Sequence, residues 1–133
     1  MSDPSLALQG AIIARLRAQV VGLSGRAYDR APQTVAFPHV EFGETQTLDD
    51  GADCVDGTEI YITLHLWSRA VGAVEARTLS AAIRSAVKDW RPDLSAAGYR
   101  CIDFQHRETR VLADPDDVTT HAVVTLRAII DAL

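Results

Sequence analysis

The residues able to do chemistry are few. The histidines stand at 39, 65, 106 and 121, the cysteines at 54 and 101, and an acidic run at Asp49, Asp50, Asp53 and Asp56. No pair of histidines has the i,i+4 helical spacing of a zinc protease, and no Cys-x-x-Cys is present. Cys54 and Cys101 lack partners at zinc-like spacing. His65 and His121 fall in alternating apolar–polar stretches and read as hydrogen-bonded sheet histidines. Metal would need several such strands to converge.

The acidic run invites a calcium reading, which fails on spacing. An EF-hand loop needs oxygen ligands at positions 1, 3 and 5, glycine at 6 and glutamate at 12. Setting Gly57 at position 6 puts Ala52, Cys54 and Asp56 at the first three and Thr63 at the last. Setting Gly51 there gives Gln46, Leu48 and Asp50. A long acidic loop over about 46–57 is the expectation. Gly22–Gly25 is one residue short of a Gly-x-Ser-x-Gly elbow and follows a helical pattern, not a strand. Neither phosphate-binding glycine motif occurs. The carboxylate pairs Asp49/Asp50 and Asp116/Asp117 lie in polar turns, where nothing raises a pKa for acid–base work. An enzyme is not expected, and no cofactor is implied.

The elements that must position these residues follow from periodicity. Leu8, Ile12, Leu16 and Val20 form one helical stripe over 3–21, with Asp3 as N-cap and Pro4 in the first turn. Gly22 and Gly25 are expected to end it. Residues 26–37 show no period and read as a loop with a short extended piece. Val40 and Phe42 alternate with His39 and Glu41 behind Pro38, a strand start. Thr58–Ser68 is the strongest strand: Ile60, Ile62, Leu64 and Leu66 face one way, Tyr61, Thr63, His65 and Trp67 the other. Residues 73–89 are helical, stopped by Pro92. Two strands close the chain, Tyr99–Leu112 with Ile102, Phe104 and His106 on one side, and Val118–Ile130, joined by a turn at Ala113–Asp117.

The expected fold is therefore α+β in the order α-β-β-α-β-β, a mostly antiparallel four-stranded sheet with two helices on one face. Its other face, carrying Tyr, Thr, His and Trp, stays open. The 133 residues suit one domain, 1–133, with 47% apolar residues and a formal charge of −5. That balance, with basic residues scattered, argues against a tightly held nucleic acid. The opening residues lack a signal-peptide pattern, so free thiols are expected, and no apolar run approaches a membrane span.

Three stretches resemble one family in order: Phe37–Gln46 (FPHVEFGETQ), Asp56–Ala76 (DGTEIYITLHLWSRAVGAVEA) and Arg110–Ile130 (RVLADPDDVTTHAVVTLRAII). They are similar to the tail-completion, or tail-terminator, proteins of long-tailed phages, prophages and gene transfer agents. The chain differs from the common pattern at His39 and Ala122. The resemblance implies a virion structural protein. Its copies would form a ring, a hexamer, that caps the tail tube, ends its polymerisation and joins the tail to the head. The implied partners are the chain itself, the major tail tube protein and a head or neck connector or stopper. DNA would be passing cargo, and no membrane is involved. The implied location is the tail–neck junction of the virion, after assembly in the bacterial cytoplasm. A head-side neck or stopper protein, or an unrelated small ligand-binding or enzymatic α+β domain, are the alternatives.

Within that reading Tyr61 and Trp67 are candidate subunit or tube contacts, because aromatics with polar tips are enriched at interfaces. Arg107, Arg110 and Arg127 are candidates to pair with acidic groups of a neighbour. Asp49, Asp50, Asp53 and Asp56 are candidates to face tube or lumen.

Overall fold

The computed structural model describes residues 3–50 and 57–133. Helix α1 spans Ser5–Gln19 and buries Leu8, Ile12 and Leu16, the stripe read from the sequence. The Ser5 N–H donates to the Asp3 carboxylate at 2.8 Å, so Asp3 satisfies one of the helix's free donors. The helix ends before either glycine. A short 3-10 turn, Val21–Leu23, follows it, and Ser24 and Gly25 then take positive φ.

Strand β1, Ala27–Tyr28, lies in the stretch without a period. It pairs in parallel with β2, His39–Asp50. The sheet thus has five strands rather than the expected four, in the order β1-β2-β3-β5-β4. The remaining strands are β3 (Gly57–Ser68), β4 (Tyr99–Ala113) and β5 (Thr120–Ala132), all antiparallel to their neighbours. A two-residue parallel strand has no alternation to betray it. Its register comes from β2, whose Val40 N–H also donates to the Arg26 carbonyl at 2.9 Å.

β2 also runs further than expected. A bulge between Phe42 and Thr45 resets which side chains face the helices. Pairing then continues to Asp50 opposite Gly57, so residues 46–50 are strand, not loop. Gly51–Asp56 lie outside the described residues. β4 holds two further bulges, at Cys101/Asp103 and His106/Glu108. The first breaks the expected face: Cys101 and Phe104 are buried, whereas Ile102 is 40% exposed.

Helix α2, Val74–Val87, packs with α1 over one side of the sheet. It stops well short of Pro92, where Lys88 turns extended and Asp89 takes a φ of 54°. Ile60, Ile62, Leu64 and Leu66 of β3 join Leu126 and Ile130 of β5 under the two helices, each at most 1% exposed. Gly22 sets how closely the turn after α1 approaches α2, since a Cβ there would lie 2.6 Å from Leu79 Cδ2.

The β4–β5 turn is fastened by Asp116. Its carboxylate accepts the N–H groups of Val118 and Thr119 at 2.9 and 2.8 Å and the Thr119 hydroxyl at 2.7 Å. Those bonds from Thr119 hold its carboxyl down at about 2. Asp116→Ala is expected to lower the melting temperature at neutral pH. The wild-type advantage is present above the unfolded value near 3.8 and is lost as pH falls through about 2. Parallel thermal scans of both proteins from pH 7 downward check this, and a difference that persists undiminished at the acid end would contradict it.

Candidate functional site

The sheet face turned away from the helices divides into two halves. In one, cross-strand pairing sets Trp67 between His39 of β2 and His121 of β5, and Glu41 beside His65. Trp67 lies on the His121 ring with centroids 3.8 Å apart and planes 10° from parallel. His65 Nδ1 and His121 Nε2 are 2.7 Å apart, so one neutral imidazole donates to the other. His39 meets the Phe37 ring edge-on at 4.8 Å, and the Arg69 guanidinium sits 4.2 Å over Phe37. His39 is only 4% exposed, and its Nδ1 has no hydrogen-bond partner among the described residues. Burial lowers the pKa of His39, of His65 and of His121; at His121 the neighbouring His65 adds to the effect.

Gly43, at the β2 bulge, makes the arrangement possible. A Cβ there would lie within 3 Å of two His65 ring atoms and 3.4 Å from the Thr63 carbonyl. The bulge glycine is the space into which the imidazole packs.

The other half is ionic. Arg127 Nε is bound to the Glu59 carboxylate, which also accepts the Tyr61 hydroxyl at 3.3 Å. Asp103 adds a second carboxylate 3.8 Å from Arg127 and accepts a bond from the Gln105 amide at 2.8 Å. Arg127 therefore has partners inside its own chain. Arg110 pairs with Glu108 at 2.9 Å, both more than half exposed, a geometry that contributes little to stability. Arg107 is exposed beside the second β4 bulge, with only a 3.5 Å contact to Gln105. Asp49 is exposed near the end of β2. Asp50 is placed by its backbone register, and Asp53 and Asp56 lie outside the described residues.

Two features escaped the sequence reading. His39 was read as strand alternation and as a departure from the family's common pattern, not as part of a site, although it is the most buried member of the aromatic half. Val71, Leu112 and Val118 are exposed at 99%, 45% and 58% around a cleft of ≈ 620 Å³ between the β3–α2 connection and the β4–β5 turn. Val118 was read as the start of the last strand, which begins instead at Thr120, and only the fold gathers it with Val71 and Leu112.

The sequence profile of the family "Tail completion protein gp17" matches residues 10–131. The chain belongs to this family. Two solved structures share the fold. One is a chain of the "Virion of native gene transfer agent (GTA) particle", at a TM-score of 0.79 and 19% identity over 94% of this chain and 95% of that one. The other is the "Structure of bacteriophage SPP1 gp17 protein", at a TM-score of 0.61 and 19% identity over 97% and 90%. A search of curated protein sequences finds no significant match.

A tail completion protein is a structural component, not an enzyme. Among the described residues no group of three His, Cys, Asp or Glu side chains is placed to hold a metal ion. No described helix is long and apolar enough to cross a membrane. Burial pushes the Cys101 thiol up to about 11, the reverse of what an activated nucleophile needs. In a Cys54→Ser background, Cys101 is expected to react with a disulfide reagent at neutral pH about 100-fold more slowly in the folded protein than in urea. Comparable rates would show the thiol to be accessible.

Proposed function

We propose that this protein is the tail terminator of a phage or gene-transfer-agent particle. Copies assemble into a six-membered ring on the finished tail tube, end its polymerisation, join it to the neck and leave a channel for DNA. The family match across residues 10–131 carries the reading. The likeness to a chain of a gene-transfer-agent virion is consistent with it. A ring requires two different surfaces of one chain to meet repeatedly around an axis. The open sheet face offers half-buried aromatics, Trp67 and Tyr61, with polar groups around them, the composition of an interface centre. The net charge of −5 suits a lumen that DNA crosses without adhering.

Trp67, Tyr61, Arg107 and Arg110 are the candidate contacts with tube or neighbour. Arg127, already bound to Glu59, acts by holding Tyr61 and the sheet surface in place. Asp49, Asp50, Asp53 and Asp56 are the acidic candidates to face tube or lumen.

Deleting the gene and imaging the particles tests the reading. Overlong tails and tails without heads are the expected result. Tails of normal length beside DNA-leaking heads would assign the protein to the head-side neck instead. Complete, normal particles would overturn both.

A further inference from the structure

The sheet has two strand edges that the fold leaves open. On one side, β1 covers only Val40 and Glu41 of β2. Beyond the β2 bulge, Thr45–Asp50 is a regular stretch paired with β3 alone. Among the described residues no backbone group bonds to its outer side. Thr45, Gln46, Thr47, Leu48 and Asp49 are all exposed. Thr45 and Thr47 lie opposite Ile62 and Ile60, which the helices bury, so the helical layer stops short of this part of β2. Proteins blunt free edges with lysine, proline or a covering segment. Gly43–Asp50 contains no lysine, arginine or proline.

On the other side β4 is the last strand. Its first half is obstructed. Two bulges interrupt it, and the Arg91 guanidinium already donates to the Ile102 carbonyl at 3.0 Å. Its second half, Glu108–Ala113, is again regular and is paired with β5 alone. On the helix side, Thr109 and Val111 border a cleft of ≈ 300 Å³ whose other wall is α2, with Arg77 and Arg84. Both arginines are exposed, and neither has an ion-pair partner among the described residues.

We propose that Thr45–Asp50 of one copy pairs antiparallel with Glu108–Ala113 of the next, joining neighbouring sheets edge to edge. β2 and β4 run in opposite directions within the chain. A neighbour carried round an axis without being turned over therefore continues the alternation. Parity limits the register, because residues on the helix side must stay there. Thr47 opposite Val111 meets that condition: Thr47 is level with buried Ile60, and Val111 packs against the core. Asp49 then falls opposite Thr109, beside the cleft that holds Arg77 and Arg84. An acidic edge against a cationic wall fixes the direction of docking. On the open side, Leu48 and Leu112, 38% and 45% exposed, become diagonal neighbours. The next copy's α2 extends helical cover towards Thr45 and Thr47. The two edges differ, so the contact is head-to-tail. Through β3 and β5, Thr47 is level with Phe104 in its own sheet. Reaching Val111 instead shifts the neighbour by about six residues, roughly 20 Å. Across five strands, about 24 Å, that is a strand tilt of about 40°, the tilt at which sheets close on themselves. The inference rests on the ring reading above and names the contact that closes the ring.

The test uses the full chain in a Cys54→Ser background, expressed in the deletion strain. Thr47→Cys/Val111→Cys sets two thiols opposite one another across the proposed contact, their Cβ atoms about 5 Å apart. A short bismaleimide is expected to link them into a ladder of multimers in assembled tails. Gln46→Cys/Val111→Cys puts the thiols on opposite faces of the sheet and is expected to link about ten-fold less. In a second arm, Asp49→Arg is expected to lower the yield of correctly terminated tails about ten-fold. Adding Arg77→Glu/Arg84→Glu to the same chain is expected to restore most of it. Circular dichroism checks that every variant is folded. No ladder, equal linking from position 46, linking of position 47 to a different protein, or no recovery in the combined variant overturns the edge pairing and leaves the ring reading intact. Normal particles in the deletion strain overturn the ring reading and the pairing with it.

Discussion

Gly43→Ala is expected to destabilise the protein by about 1–3 kcal/mol, the range for forcing extra atoms into a packed site. It is also expected to dismantle the imidazole–indole stack. The new Cβ would overlap the His65 ring and would also meet the Thr63 carbonyl at 3.4 Å. The His65 ring must swing away, which breaks its 2.7 Å bond to His121 and removes the neighbour that positions the Trp67 stack. Gly22→Ala is the control. Its Cβ meets one terminal methyl of Leu79, which a small rotamer change relieves, so a loss below about 1 kcal/mol is expected. Chemical unfolding of both variants, with Trp fluorescence to follow the stack, decides the point. Equal losses, or an unchanged Trp67 signal in Gly43→Ala, would refute the role given to the bulge.

Acid should loosen the same region. His39, His65, His106 and His121 all have pKa values lowered from an ordinary 6.5, with burial as the first cause in each case. A lowered value means that the folded state disfavours the proton. Below about 6.5 the unfolded chain takes up protons that the folded chain refuses, so stability falls as pH falls through that range. The surrounding charges work in both directions. Glu41 opposes the effect at His39 and His65 and Asp114 opposes it at His121, whereas Arg84 reinforces it at His106 and Arg110 at His121. The tightest point is the His65–His121 pair. One shared hydrogen bond requires one ring nitrogen to be unprotonated, and two imidazolium rings would face each other N–H to N–H. Melting temperature is therefore expected to drop between pH 7.5 and pH 5. Replacing His121 by glutamine, which keeps hydrogen-bonding capacity without the charge change, is expected to flatten that slope. A melting temperature that is level or rises over the interval would contradict the assignment.

The β3 face was legible because a strand buried on one side repeats every two residues, and four aliphatic side chains in alternation leave no second solution. The α1 stripe was legible for the corresponding helical reason. Ile102 was misplaced because a bulge adds one residue and reverses the parity of everything beyond it, and no side-chain pattern near Cys101 announces the addition. β2 was cut short for the same reason. After the Phe42/Thr45 bulge, Thr45 and Thr47 share a face with Val40, so the apolar alternation ends although the strand does not. β1 was invisible, since two residues pairing in parallel carry no period of their own.

The candidate surface divides along the same line. The residue types of the open face, Tyr61, His65 and Trp67 in one strand and His121 and Arg127 in another, were fixed by alternation in each strand. That His65 and His121, fifty-six positions apart, share a hydrogen bond depends on the register between β3 and β5, a long-range quantity that no local pattern encodes. Local periodicity thus determined most of the elements and their buried faces, and the resemblance of three ordered stretches pointed to the family. Tertiary structure decided which polar residues satisfy one another within the chain. Whether a charge is paired depends on elements brought together from distant parts of the sequence.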